Sequence, residues 1–210
     1  MKSFNVFTPL TLLTLLLFTL TAHAENGLHS GLSVSAAAGL SKVDIINDAP
    51  TRPDFNNSTY LQLNINYALN EWFEIDTGII SYQESKTEKM TDLAGTYQLA
   101  TSANALQLGG RFILNVDNDI RAYFRLGGSY YRVNLEVNES FDDIKESGKD
   151  SANSSGKGYY YGVGIITNAS KNLEIQMEYS GQHLTDVFED SSRPFDIRYK
   201  GVTLGARYNF

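Results

Sequence analysis

Apolar and polar side chains alternate one by one along eight stretches of the chain. Successive side chains of a β-strand point to opposite faces of its sheet, so this two-residue period is typical of strands and not of helices. An even number of antiparallel strands can close into a barrel without a free edge. We therefore predict an all-β protein, an eight-stranded antiparallel up-and-down barrel, with strands at residues 32–40, 61–67, 73–79, 106–112, 120–130, 159–165, 173–179 and 202–210.

The polar faces of these strands carry a balanced set of charges. An unpaired charge inside a closed barrel is costly, so a balanced set is what an inward face requires. The apolar faces would then point outward, toward lipid. A soluble sandwich or lipocalin-like barrel shows the same alternation and is the alternative. The predicted interior ionic network comprises four acidic residues and four arginines: Glu74, Asp76, Glu174, Glu178, Arg111, Arg121, Arg125 and Arg207.

Aromatic residues of the apolar faces fall at the two ends of the strands. Membrane-spanning barrels carry aromatic rings at both membrane–water interfaces, and a spanning strand needs about 9–11 residues, close to the length of the apolar faces here. This sorting favours a transmembrane barrel over the soluble alternative. The predicted rings are Tyr67, Phe73, Phe112, Tyr208 and Phe210 at one end, and Tyr130, Tyr159, Tyr161 and Tyr179 at the other.

The first 24 residues have the features of a signal peptide. Lys2 precedes an apolar run at residues 10–20, and Ala22 and Ala24 form a small-x-small cleavage site. We expect cleavage after Ala24, which leaves a barrel domain at residues 25–210.

The net charge of −7 argues against a nucleic-acid partner, and the absence of cysteine excludes disulfides and thiolate metal sites.

The connections between the predicted strands alternate in length. Short connections lie at residues 68–71, 115–119 and 168–172, and long ones at 42–57, 84–96, 135–157 and 184–194. Outer-membrane barrels have short periplasmic turns and longer outer loops. The long connections are therefore predicted to lie outside the cell.

Three segments resemble those of a known family. LNEWFEIDTGI and ASKNLEIQMEYS each join a short turn containing Asn to a strand with alternating acidic residues, and the chain ends in TLGARYNF. Beyond its signal peptide the chain is similar to the small eight-stranded outer-membrane β-barrels of the OmpA/OmpX type. The resemblance implies an integral location in the cell outer membrane and recognition by the barrel-assembly machinery. The assembly signal would comprise Thr203, Gly205, Tyr208 and Phe210.

Transport and lipid chemistry are the alternative functions. The interior of an eight-stranded barrel is about filled by its own side chains, which argues against an open pore and leaves a narrow channel as one alternative. A lipid A-modifying enzyme is the other. Of the two histidines beyond the signal peptide, His29 precedes the first strand, and His183 follows the seventh strand, where Thr185 stands in place of a serine. We expect His183 to be a loop residue at the rim, and the protein to be no enzyme and to use no cofactor.

The connection at residues 135–157 is rich in acidic side chains, whose oxygens could bind Ca²⁺. Its spacing matches no EF-hand loop, since no glycine stands at the sixth position. We expect a solvated, mobile loop without a metal.

Basic residues follow the apolar faces at the outer strand ends, where lipid phosphates lie. Snorkelling of long side chains into water explains part of this pattern. The other interpretation is contact with lipopolysaccharide. We expect a monomer embedded in outer-membrane lipid that displays four outer loops for surface interaction, such as adhesion to a host or envelope ligand, or for envelope integrity. The candidate lipopolysaccharide contacts are Lys42, Arg132, Lys157, Arg198 and Lys200.

Overall fold

The computed structural model describes residues 31–46, 53–91, 95–117, 119–141, 147–191 and 194–210. The predicted signal peptide, its cleavage site and His29 lie outside these residues. Within the described ranges there is no apolar helix of membrane-spanning length.

Eight long antiparallel strands form a closed ring in the order β1–β2–β3–β5–β6–β7–β8–β9, and β9 pairs with β1. The ninth, β4, is two residues long and pairs with β5 alone. The prediction of an all-β, eight-stranded up-and-down barrel is confirmed. The strands are β1 (Leu32–Ile46), β2 (Ser58–Asn70), β3 (Phe73–Lys86), β4 (Met90–Thr91), β5 (Gly95–Asn115), β6 (Ile120–Phe141), β7 (Ser147–Asn168), β8 (Leu173–Val187) and β9 (Phe195–Asn209).

Three strands are at least twice as long as the strands predicted for them. Strand β5 has 21 residues, and β6 and β7 have 22 each. The prediction of a mobile loop at residues 135–157 is therefore wrong, because most of it forms an antiparallel hairpin paired as far as Ser140 and Ser147. Cross-strand contacts support this hairpin, among them an ion pair of 2.7 Å between Glu136 and Lys149.

The polarity of the two faces inverts along the strands. In the half of the barrel near the short turns, apolar side chains such as Leu204 point outward and polar ones such as Arg207 point inward. Beyond Val202 the order reverses on β9, where Tyr199 and Ile197 are buried inside the barrel. We call these parts the short-turn half and the long-strand half.

The interior of the long-strand half is an apolar core, although the sequence analysis predicted charge throughout. Tyr82 and Tyr199 stack there with ring centroids 4.0 Å apart. The apolar side chains lie on inward positions just beyond the ends of the predicted strands. The core includes Val43, Ile45, Tyr60, Ile80, Tyr82, Tyr131, Val133, Leu184, Ile197 and Tyr199.

Candidate functional site

The short-turn half of the interior holds a first layer of charges centred on Arg207. Its guanidinium donates two hydrogen bonds to Glu74, the longer of 3.0 Å from Nη1 to Oε2. The Nε of Arg207 lies 3.6 Å from Glu174 Oε2, and Arg121 pairs with the other oxygen of Glu174. Glu174 and Arg207 are direct cross-strand partners on β8 and β9, so the antiparallel register brings them together.

A second layer is centred on Arg125. Its Nε lies 3.2 Å from Asp76 Oδ2, and its Nη1 lies 3.7 Å from Glu178 Oε2. Tyr160 donates a hydrogen bond of 3.0 Å to Asp76, and Tyr123 donates one of 2.8 Å to Glu178. Each carboxylate is thus held by the Arg125 cation and by one phenol, which stabilises its charge inside the barrel.

Glycine makes room for the second layer. A Cβ atom at position 162 would lie 2.9 Å from Glu178 Cδ and 3.0 Å from Arg125 Cγ. The inward position on β7 between the strands that carry these side chains therefore has to be small.

Arg111 lies between the two layers. Its side chain is 0% exposed, and its nitrogens lie 4.0 Å from Glu74 and 3.9 Å from Asp76. The guanidinium carbon sits 4.5 Å from the centroid of the Tyr123 ring, a cation–π contact. The interior thus brings together all eight charged residues of the proposed network. Arg121 is the most accessible of them, with 26% of its side chain exposed.

Several uncharged partners of this network were not identified from the sequence. Arg125 donates a hydrogen bond of 2.6 Å to Gln107, which in turn donates one of 2.8 Å to Gln182. Tyr123 occupies the inward position between Arg121 and Arg125 on β6, and Tyr160 occupies an inward position on β7 from which it reaches Asp76. The alternation already placed these two tyrosines on the polar faces of their strands, and that was the available signal.

The five candidate lipid contacts all point outward in the long-strand half. Lys42 and Lys200 are direct cross-strand partners on β1 and β9. Lys42 pairs with Asp54 at 3.3 Å, and Lys200 lies 3.9 Å from Asp44. Arg198 is the cross-strand partner of Asp44.

The other two candidates lie on the far side of the barrel. Lys157 on β7 is the cross-strand partner of Tyr130 on β6, and Arg132 is the next outward residue on β6. The two cations therefore flank the Tyr130 ring.

His183 lies within β8 and is only 7% exposed, so its prediction as a loop residue is wrong. Its ring stacks on Tyr159 with centroids 4.8 Å apart. Its Nδ1 lies 2.9 Å from the Tyr159 hydroxyl and its Nε2 lies 2.8 Å from Asp196 Oδ2. The Thr185 hydroxyl donates instead to the Lys157 carbonyl, at 2.7 Å. His183 thus joins three strands at the outer surface.

The described residues contain no group of three or more His, Cys, Asp or Glu side chains that could hold a metal ion.

At the chain end, the Phe210 amide donates to the Leu32 carbonyl at 3.2 Å, and its ring meets Tyr208 edge-on at 5.1 Å. Of the other candidate assembly residues, Thr203 is buried in the interior and Gly205 packs against Ala36 and Ala37.

Solved structures share this architecture. Neisserial surface protein A matches with a TM-score of 0.54 and 14% identity, over 86% of this chain and 98% of that one. The attachment invasion locus protein Ail of Yersinia pestis matches with a TM-score of 0.49 and 16% identity, over 86% and 99%. The outer membrane protein OprG of Pseudomonas aeruginosa gives 0.47 and 12%, over 87% and 97%.

No curated protein matches the chain in sequence. The family model described as outer membrane protein beta-barrel domain matches residues 10–210. This match spans nearly the whole chain and agrees with the closed antiparallel ring. The chain therefore belongs to the outer membrane protein beta-barrel family and is an integral protein of the outer membrane.

Proposed function

We propose that this protein is a surface-interaction protein that offers an unpaired sheet edge to extended peptide segments outside the cell. The observation that carries the proposal is the register of β7. Its pairing with β6 runs to Ser147, but its pairing with β8 begins only at Gly158, opposite Leu184. Among the described residues, no strand pairs with the other edge of residues 147–156.

The chemistry of this edge suits an added strand. Its sequence, SGKDSANSSG, is rich in small and polar residues, and most of it is exposed. Natural edges are usually protected by charge, proline or a bulge, and here Lys149 is paired with Glu136. The hydrogen bond from the Lys149 ammonium lowers the pKa of Glu136, so the pair persists to a more acidic pH than that at which a free glutamate is protonated. Backbone hydrogen bonds to such an edge would give affinity, as in other cases of strand addition.

A shortened hairpin tests the proposal. In the variant, an Asn-Gly turn replaces residues 134–153, so that Val133 and Ser154 become the last pair of β6 and β7. Phage-displayed 12-residue peptides are selected on the wild-type protein in nanodiscs. We expect the selected peptides to bind the wild type and to bind the variant no better than empty nanodiscs.

The control replaces residues 47–52, at the β1–β2 connection, with glycine and serine of equal length. This variant should keep the binding, because β7 is untouched. Selected peptides that bind the shortened hairpin as well as the wild type, or failure to select any, would contradict the proposal.

Lipopolysaccharide contact is a second candidate function, and it would serve envelope integrity. The clustering of three outward cations on the adjacent strands β1 and β9 favours it, and these cations outnumber Asp54 and Asp44, the carboxylates paired with the two lysines. Arg198 adds a guanidinium that can bind a phosphate in two hydrogen bonds.

Changing Lys42, Arg198 and Lys200 to Gln should leave the barrel folded and reduce the lipopolysaccharide that co-purifies at low salt. Added salt should shift the wild type toward the variant, since these contacts are partly screened. Equal co-purification with both proteins at low salt would contradict this candidate.

A further inference from the structure

We propose that a groove on the outward face between β2 and β6 binds one acyl chain of lipid A, with a lipid A phosphate on Arg132. This inference rests on the proposed contact with lipopolysaccharide and adds a site for its hydrocarbon. The groove has a volume of about 530 Å³. A second cavity of about 310 Å³ adjoins it toward the short turns and shares Leu63, Ile79 and Leu106 with it.

The lining is ordered along the strands. One rung across the sheet is Ser81 on β3, Asn104 on β5 and Arg132 on β6, which are consecutive cross-strand partners. The next rung toward the short turns consists of Leu63, Ile79, Leu106 and Tyr130, likewise consecutive cross-strand partners. Polar groups therefore cap the groove at its outer end, and apolar groups line it below.

The shape of the groove follows from side-chain size. Ser81 is small, while Leu61 on one side and Tyr130 on the other are large and more than half exposed. The short side chain between two ridges leaves a channel along the strands. A linear hydrocarbon chain fits such a channel better than a globular partner does, because the floor is narrow and runs parallel to the strands.

The cations beside the groove indicate that the head group of the bound lipid is anionic. Arg132 is exposed and, among the described residues, has no ion pair, unlike Lys42 and Lys200. Lys157 lies across Tyr130 from it. A phosphate above the groove would meet two cations, and Asn104 could donate a further hydrogen bond.

The position of the groove in the membrane indicates which lipid it binds. The long-strand end of an outer-membrane barrel faces outward, so the cationic end of the groove lies at the surface of the outer leaflet. A ligand there needs an anionic head at the water boundary and a chain that runs inward. Lipid A has this order of groups, whereas a protein segment or a second copy of the barrel has no phosphate to satisfy Arg132.

The test is native mass spectrometry of the full protein in detergent with added bis-phosphorylated lipid A. Ser81→Trp fills the outer part of the groove without a change in charge, and Arg132→Gln removes the cation. We expect the wild type to retain one lipid A. We expect Arg132→Gln to weaken retention by up to about fivefold, the upper range for one exposed charge-assisted contact. Ser81→Trp should weaken retention as well, because the indole occupies the space of the acyl chain. Leu204→Trp, on the opposite wall and 63% exposed, is the control and should retain lipid A as the wild type does.

Two further comparisons separate the possible failures. Dephosphorylated lipid A should bind the wild type and Arg132→Gln equally, whereas Ser81→Trp should still weaken it. Equal retention of lipid A by wild type and Ser81→Trp would overturn the groove site while leaving contact at the Lys42–Lys200 pair intact. Absence of lipid A from the wild type itself would overturn the lipopolysaccharide contact as well. Displacement of lipid A by an equal amount of phosphatidylglycerol would overturn the assignment to lipid A.

Discussion

Arg125 is the central cation of the second charge layer. It is fully buried between the carboxylates of Asp76 and Glu178. A buried ion pair is costly to form but still more costly to break, because the remaining charges stay in a medium of low polarity.

Arg125→Leu should therefore leave Glu178 without a cation and Asp76 with Arg111 alone, at 3.9 Å. We expect the free energy of unfolding in detergent to fall by about 3–5 kcal/mol, measured by urea denaturation. Arg132→Leu is the matched control, since Arg132 is exposed on the same strand and should change stability little. An unchanged midpoint for Arg125→Leu would mean that the two carboxylates do not depend on this cation.

The phenol of Tyr123 is a finer probe of the same layer. Tyr123→Phe removes the hydrogen bond to Glu178 and leaves the ring over Arg111 in place. We expect a loss of about 1–3 kcal/mol in the same unfolding measurement, the cost of an unsatisfied buried acceptor. Tyr130→Phe, on the outward face, should lose far less, and equal losses for both variants would argue against a buried bond.

Some features of single residues could be predicted from the sequence, and others depend on contacts between residues that are far apart in the chain. The two-residue period alone assigns the inward side chains, so the set of eight charges could be predicted from the sequence. The pairing of particular atoms could not, because Arg207 and Glu74 are 133 residues apart and meet through barrel closure. The environment of His183 was also missed, since Asp196 reaches it from the next strand.

Among the strands, β9 combines packing with a proposed role in assembly. Tyr208 near its end meets Phe210, which directly follows the strand, in an aromatic contact at the rim of the short-turn half. Since the packing partner of Phe210 lies at the rim, its loss should affect the folded state less than a buried deletion would.

Deletion of Phe210 should therefore lower the amount of folded barrel in cells while leaving refolding in detergent nearly intact. The measurement is heat-modifiable migration on gels, for membranes and for refolded protein. A substitution of Leu173, an outward residue near the same rim, by Ala is the control and should reduce neither amount. Equal loss in both assays for the deletion would mean that Phe210 acts through packing and not through recognition by the assembly machinery.

Strand number and order were predictable, but strand length was not. Each predicted strand ended where the outward face lost its apolar residues, for example between Leu40 and Lys42. The chain continues as strand because Val43 and Ile45 then point inward and are buried. In the long-strand half the apolar side chains point inward and the polar ones outward, as in a soluble barrel. Strand prediction from apolar outward faces therefore ends each strand at the membrane border.

In the whole molecule, side chains of two different kinds occupy the interior of the barrel and block it. Ion pairs fill the short-turn half, and an apolar core fills the long-strand half. An ion would have to pass both, and the apolar part offers it few polar partners, such as the hydroxyls of Thr101 and Tyr199.

We expect the purified protein to show no conductance steps in a planar bilayer. A trimeric porin in the same bilayer is the control for sensitivity. Reproducible steps that disappear with a blocking antibody against the protein would instead support the narrow channel.

The inverted polarity of the strands also fixes the depth of the protein in its membrane. Movement toward the periplasm would carry Lys42, Arg198 and Lys200 into hydrocarbon, at about 2–4 kcal/mol for each cation that reached the midplane. Movement outward would expose the apolar band below them to water. The barrel therefore has little freedom to slide or tilt when bilayer thickness changes, and the surrounding lipid has to stretch or compress to match it. A protein of this kind would accumulate where the outer membrane already has the thickness that its apolar band requires.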